Sequence, residues 1–140
     1  MSDALSRFLV ATHECDIAGM VRELAPDAEL RSPLFGGMTF RGRDDVGVVL
    51  GTVYRILRDP RWEQPIGTGS HRAVVGTARL GRAELTDALI VDLDEQDRIT
   101  RLRPHLRPLP ATTWFMLRLG PALARNPGVL RRAGGGARTA

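Results

Sequence analysis

Residues 82–109 read RAELTDALIVDLDEQDRITRLRPHLRPL, and this stretch decides the fold because it holds the longest strand pattern of the chain and the turn and strand that follow. Apolar side chains recur at alternate positions from Leu85 to Leu93, which is the period of a strand with one buried face. Asp87 stands on the same face, between Leu85 and Leu89. The pattern therefore predicts one carboxylate that points into an apolar core.

The residues alone leave two interpretations of Asp87 open. A buried carboxylate is unfavourable unless it is paired or protonated. In the first interpretation, burial raises the pKa of Asp87, and its carboxyl group transfers protons in a pocket. In the second, Asp87 forms an ion pair across the sheet: if the preceding turn centres on Gly81, Asp87 lies opposite Val75. The arginines within reach would then be Arg79, Arg101 and Arg103.

Two histidines could assist an acid at this position. His105 lies on the last strand and His71 where the middle strands begin, and an imidazole beside a carboxylate is a common proton-handling couple. We treat Asp87 and His105 as the candidate catalytic residues. The histidines and acids show no metal-site spacing, and Gly36-Gly37 lacks the context of a phosphate loop, so the sequence predicts neither a metal nor a cofactor.

Helical patterns precede the strands. The first amphipathic helix is predicted to end near His13, the second opens near Asp16, and Asp44 or Asp45 is predicted to cap a third helix. Helices followed by antiparallel strands indicate an α+β fold in which the helices lie on one face of a sheet.

The composition favours one globular domain and argues against a nucleic-acid ligand. The chain has 140 residues and a formal net charge of +4, and all its basic residues are arginines. Residues 1–97 carry 11 arginines and 16 acids, whereas residues 98–140 carry 9 arginines and no acid. The body is thus mildly acidic. No apolar run approaches the roughly 20 residues that cross a bilayer, and Asp3 stands where a secretory signal would be basic, so we expect a cytoplasmic protein.

The end of the chain has a different character from the body. We predict a domain over residues 1–110, a basic amphipathic helical segment over 111–132 and a disordered tail over 133–140. The segment is expected to be interrupted at Gly120-Pro121 and again at Asn126-Pro127. Such breaks favour packing across a dimer or over a pocket opening rather than peripheral membrane contact.

The order of elements resembles the NTF2-like, or SnoaL-like, α+β cone. The resemblance covers residues 4–109 and rests on LAPDAELRSP at 24–33, on FRGRDDV at 40–46 and on the acid-rich hairpin that leads to Ile99. It implies a curved antiparallel or mixed sheet wrapped around N-terminal helices, with the C-terminal helical segment as an addition. The group includes ketosteroid isomerases, polyketide cyclases, epoxide hydrolases and non-catalytic transport factors, so the fold does not define an activity.

The resemblance also implies which positions line the pocket. The general base of the isomerases falls on Ser32, and their oxyanion tyrosine falls on Phe8, so neither group is present here. The second acid of the isomerases matches Asp87. The expected pocket residues are Phe8, Ser32, Phe40, Tyr54, Trp62, Leu85 and Leu89.

Three functions follow as expectations, and the third, an interaction protein whose basic C-terminal segment contacts a membrane or a nucleic acid, is the least favoured. In the first, the pocket binds a small apolar or amphipathic molecule and the protein is a cofactor-independent isomerase or cyclase that uses Asp87 as acid–base, assisted by His105 or Tyr54. In the second, the protein is a non-catalytic binding or accessory module. In either case we expect a homodimer formed through the outer face of the sheet.

Overall fold

The computed structural model describes residues 3–34 and 36–138, with the backbone alone at 135–138. It contains helices at both ends of the chain and one mixed sheet between them. The helices are α1 (Ala4–His13), α2 (Ile17–Arg22), α3 (Arg43–Ile56), α4 (Leu109–Leu123) and α5 (Pro127–Arg138). The strands are β1 (Leu24–Arg31), β2 (Thr39–Arg41), β3 (Arg58–Trp62), β4 (His71–Leu80), β5 (Ala83–Leu93), β6 (Ile99–Arg103) and β7 (Leu106–Arg107).

The sheet is open and curved, with the strand order β2-β1-β6-β5-β4-β3. β1 and β6 are parallel, and the other neighbouring strands are antiparallel. β5 is long enough to serve two partners, because its end near Leu93 pairs with β6 whereas Thr86 and Asp87 pair with β7. The predicted α+β cone with a mixed sheet is confirmed.

The register between β4 and β5 differs by one residue from the expectation. Leu80 pairs with Ala83, so only Gly81 and Arg82 form the turn, and Gly81 has a φ of +60°. A two-residue hairpin turn needs left-handed backbone, which glycine adopts without strain. Asp87 consequently lies opposite Gly76 and not opposite Val75.

Helices α1, α3 and α4 pack against the inner face of the sheet. Asp3 is the N-cap of α1 and accepts a hydrogen bond from the Ser6 backbone N–H at 2.9 Å. Gly42, with a φ of +90°, is the N-cap of α3, so the expectation of a cap at Asp44 or Asp45 was wrong. Both acids lie in the first turn of α3, where they are favoured by the helix dipole.

The C-terminal segment is more regular than expected. α4 continues through Gly120 and Pro121 to Leu123. The missing N–H of Pro121 leaves only the carbonyl of Leu117 without a partner inside the helix, and Leu117 lies on the exposed side, where water can bind. The helical segment is interrupted before Pro127, as predicted. α5 then extends to Arg138 rather than ending near residue 132.

Candidate functional site

The inner face of the sheet and helices α1, α3 and α4 enclose an apolar cavity of about 80 Å³. It is open at one side. Aliphatic and aromatic side chains make up most of its wall, and the predicted pocket residues all take part. Those residues are Phe8, Ser32, Phe40, Tyr54, Trp62, Leu85 and Leu89.

One row of residues crosses the sheet beside the cavity. Trp62 pairs with Gly76, Gly76 with Asp87, and Asp87 with Leu106. All four line the cavity. Directly opposed residues on neighbouring strands point to the same face, so the indole of Trp62 and the carboxyl group of Asp87 flank the position where residue 76 has no side chain. The alternation of β5 thus directs Asp87 inward, as the sequence pattern predicted.

Asp87 has no arginine partner among residues 3–34 and 36–138. Arg101 and Arg103 each lie 3.7 Å from Asp92, which is on the outer face of β5. Positions 87 and 92 differ by an odd number of residues, so their side chains point to opposite faces of the strand. Arg79 is exposed and lies opposite Glu84. The ion-pair interpretation of Asp87 was therefore wrong.

The surroundings of Asp87 favour its protonated form. Burial among apolar side chains raises the pKa of Asp87 to about 7, although the hydrogen bond from the His105 backbone and the nearby imidazole act in the opposite direction. The one hydrogen bond that the described residues make to the carboxylate is long, at 3.2 Å from the His105 N–H to Oδ1. Near neutral pH the carboxyl group is therefore present in both protonation states.

His105 contributes its backbone, and its imidazole does not face the cavity. Its ring Nδ1 lies 3.1 Å from the carbonyl oxygen of Ala88, and its side chain is exposed. A ring nitrogen that faces a carbonyl must carry the hydrogen, so this nitrogen is a donor and is not available as a base. Assistance to Asp87 by the His105 imidazole stays a prediction: the imidazole is close enough to lower the pKa of Asp87, and its other ring nitrogen remains able to accept a proton.

His71 lies on the outer face of the sheet. Its Nδ1 is 2.5 Å from Oδ1 of Asp92, its register partner on β5. It cannot reach Asp87 from this side, because Asp92 is five positions from Asp87 and the two side chains therefore point to opposite faces of β5.

Tyr54 is the second titrating group in the wall of the cavity. It projects from α3, and both burial and the negative charge of Asp87 raise the pKa of its phenol above the ordinary value. The phenol therefore stays neutral and can act as a hydrogen-bond donor near Asp87. Among the lining residues that the structure describes, Asp87 and Tyr54 are the only two with titrating side chains.

A partly buried hydrogen bond holds Trp62 in place. Its Nε1–H donates to Oγ1 of Thr12 at 2.8 Å, and the Thr12 hydroxyl donates to the Leu9 carbonyl at 2.7 Å. Thr12 is only 1% exposed, so this polar pair is shielded from water. It joins α1 to β3 and holds the indole against the cavity.

α4 contributes part of the wall, in agreement with the expectation that the C-terminal segment packs across a dimer or over a pocket opening. Phe115, Leu119 and Leu123 recur at four-residue intervals, are buried and line the cavity. The spacing of these three residues is a helical signal, but Trp114 and Leu117 are also apolar, so the sequence could not show which side of α4 faces inward. α4 closes one wall of the cavity that residues 1–110 would otherwise leave incomplete.

The described part of the chain holds neither a cluster of metal ligands nor a membrane-spanning helix. No three His, Cys, Asp or Glu side chains come together there as a metal site would require. The same residues contain no helix that is both long enough and apolar enough to cross a membrane.

Comparison with known proteins gives similarity to solved structures only. No family model matches the chain, and no curated protein matches it. An uncharacterized protein conserved in bacteria with a cystatin-like fold, from Silicibacter pomeroyi, superimposes with a TM-score of 0.85 at 22% identity, over 93% of both chains. A steroid delta-isomerase from Pseudomonas aeruginosa gives a TM-score of 0.80 at 24% identity, over 89% of this chain and 92% of that one.

A third structure carries the name of the fold. An NTF2-like protein of unknown function from Cytophaga hutchinsonii matches with a TM-score of 0.62 at 11% identity, over 78% of this chain and 91% of that one. The chain has the NTF2-like fold. In this NTF2-like cone, Ser32 and Phe8 line the cavity, and neither side chain can transfer a proton as a carboxylate or donate one as a phenol does.

Proposed function

We propose that this NTF2-like protein binds a small apolar or amphipathic molecule in its cavity and acts on it as a cofactor-independent isomerase or cyclase, with Asp87 as the acid–base group. The observation that carries the proposal is a carboxyl group in an apolar wall without an arginine partner among the described residues. Solved NTF2-like structures include one named as a steroid delta-isomerase, which makes proton transfer in such a cone a reasonable class of reaction.

The chemistry requires both protonation states of one group. A neutral Asp87 can donate a hydrogen bond to a carbonyl oxygen of the ligand, and an ionised Asp87 can remove a proton from a neighbouring carbon. A pKa of about 7 populates both forms near neutral pH, which is the condition for efficient acid–base catalysis. The neutral phenol of Tyr54 supplies a second donor for an oxygen that gains negative charge.

The size of the cavity limits the ligand. A volume of about 80 Å³ is well below the roughly 300–1,000 Å³ of sites for drug-sized ligands. The conformation described here thus accommodates a compact molecule.

A non-catalytic binding module is the second candidate. It is favoured by Ser32 and Phe8, which leave Asp87 as the only carboxylate in the wall of the cavity among the described residues. In that case Asp87 anchors one polar atom of the ligand, and the aromatic side chains supply apolar contact. Both candidates require binding, and only the first requires turnover.

One experiment separates the two candidates. Binding and conversion of a small β,γ-unsaturated cyclic ketone would be measured by NMR and by the ultraviolet absorbance of the conjugated product. The wild type would be compared with Asp87→Asn, Asp87→Ala and a control, Asp27→Asn, whose carboxyl group is exposed. If the protein is catalytic, Asp87→Asn should still bind the ketone but convert it more slowly by a factor of roughly 10² to 10⁴. The control should bind and convert the ketone as the wild type does.

The outcomes of that experiment are distinct. Binding without conversion by the wild type supports the non-catalytic module. Equal conversion by Asp87→Asn and wild type contradicts the role of Asp87. Absence of binding to a series of compact neutral ketones and phenols contradicts both candidates.

We also propose that two copies associate through the outer face of the sheet. The central strands present small and apolar side chains there, namely Ala73, Val75, Ala88 and Ile90. Light scattering tests this proposal: Val75→Glu should halve the mass of the particle. A wild-type particle with the mass of one chain would contradict it.

A further inference from the structure

α4 is apolar on two sides, and only one side is covered by the protein. Phe115, Leu119 and Leu123 are buried against the cavity. Trp114 is 62% exposed and Leu117 is 63% exposed. Because a helix has 3.6 residues per turn, these two residues lie together on the outer side. Single exposed apolar residues are common, but a tryptophan beside a leucine on one helix face is a candidate contact surface.

Two basic side chains lie on the C-terminal side of this apolar pair along the chain. Arg118 follows Leu117 directly, and Arg125 comes in the turn after α4. Both are exposed, and neither forms an ion pair among the described residues. No acidic residue occurs after Asp97, so the sequence of the segment supplies no compensating charge.

On the neighbouring helix α5, by contrast, an acidic residue neutralises an arginine. Arg132 of α5 forms two hydrogen bonds with Asp45, at 2.8 and 2.9 Å. This pair attaches α5 to the start of α3. The charges of Arg118 and Arg125 remain uncompensated in this part of the surface.

We propose that the outer face of α4 docks on an anionic lipid surface. Trp114 and Leu117 would enter the boundary between headgroups and acyl chains, as apolar residues of interfacial helices do. Arg118 and Arg125 would lie at the level of the headgroups, where cationic side chains are attracted to negatively charged lipids. The helix would lie in the plane of the surface.

Charge complementarity decides between a lipid surface and a second copy of the chain. In a twofold dimer through this face, the same patch would meet itself. Arg118 and Arg125 would then face a patch that carries the same two arginines, and like charges brought together oppose association. An anionic lipid surface carries the opposite charge to both arginines. The expectation that the segment packs over the pocket opening agrees with the inner side of α4, which lines the cavity, and the break expected at Gly120-Pro121 is absent, so Trp114, Leu117 and Arg118 lie on one continuous helix.

This docking does not depend on any reaction in the cavity. It has a consequence for access, because the inner face of the same helix forms part of the cavity wall. Apolar molecules concentrate in membranes, so a docked α4 would place the wall of the cavity next to their source.

Vesicle binding of the full chain tests the proposal. The partition coefficient would be measured with vesicles of phosphatidylcholine alone and of phosphatidylcholine mixed with phosphatidylglycerol, at low and at high salt. We expect binding to the anionic vesicles only, weakened by salt. Replacing Arg118 and Arg125 by alanine should lower the partition coefficient about fivefold for each residue, and so about 25-fold together.

Matched variants make the test specific. Arg58 and Arg82 are exposed arginines on other parts of the surface, and their double replacement by alanine removes the same charge. The tryptophan fluorescence maximum of the wild type should shift to shorter wavelength on binding to anionic vesicles. The variant Trp114→Phe, which keeps Trp62, should show no shift. Three results would each overturn the proposal. They are an equal fall of the partition coefficient in both double variants, equal binding to neutral and anionic vesicles, and self-association that Trp114→Ala abolishes.

Discussion

The indole of Trp62 occupies the space that a side chain at Gly76 would need. A Cβ atom placed on Gly76 would lie 2.4 Å from Cε3 of Trp62 and 2.7 Å from Cζ3. Gly76 is also the register partner of Asp87 on the next strand. The missing side chain therefore lets an aromatic ring and a carboxyl group flank one position in the wall of the cavity.

Gly76→Ala should disturb the site through this contact. The ring of Trp62 must move, which weakens its 2.8 Å hydrogen bond to Thr12, and the overpacking should lower the free energy of unfolding by about 1–3 kcal/mol. Chemical denaturation and near-ultraviolet circular dichroism would measure the two effects. Gly36→Ala is the control, because a Cβ at Gly36 meets no atom within 4 Å. Equal stability of the two variants would contradict the steric explanation.

The bond between Trp62 and Thr12 can be tested by a double-mutant cycle. Thr12→Val leaves the buried indole N–H without an acceptor, so it should lower the free energy of unfolding by about 1–3 kcal/mol. In a Trp62→Phe background the same change should cost less, with a coupling of about 1 kcal/mol. Thr52→Val is a suitable control, since the Thr52 hydroxyl bonds only to the Val48 carbonyl. Additive effects of the two replacements would show that the bond does not stabilise the fold.

The stability of the protein should depend on pH through Asp87. Its pKa is about 7 in the folded chain and about 3.9 when unfolded, so the folded state holds the extra proton between these values. The stabilisation is complete below about pH 4 and is lost as the pH rises through about 7. Between about pH 5 and about pH 8, the free energy of unfolding of the wild type should fall by roughly 2–3 kcal/mol relative to that of Asp87→Asn.

Denaturation curves of both proteins over that pH range measure this difference. Asp27→Asn is the control for changes in net charge, because Asp27 is exposed. A constant difference between wild type and Asp87→Asn across the range would mean that Asp87 titrates normally.

The part of the site that rests on alternation was predictable. The inward direction of Asp87 depends only on the two-residue period of β5, and that period is visible between Leu85 and Leu93. The order of helices and strands likewise indicated the α+β cone. Such patterns depend on residues close together in the sequence, so they can be interpreted without knowing how distant elements pack.

The features that depend on geometry between elements were not predictable. Whether the turn at Gly81 has two or three residues decides whether Asp87 faces Gly76 or Val75, and both lengths suit the sequence. The orientation of the His105 ring follows from the strand break after Arg103, which no periodicity indicates. The buried side of α4 was hidden because Trp114 and Phe115 are equally apolar.

Acid–base chemistry in the cavity requires Asp87 to titrate near neutral pH. A carbon-13 NMR titration of the aspartate carboxyl groups, with Asp87→Asn to assign the signal, measures this directly. We predict a midpoint at about pH 7 for Asp87, and Asp87→Asn should remove that signal alone. A midpoint at the ordinary value of about 4 would contradict the proposal that Asp87 is the acid–base group of the cavity.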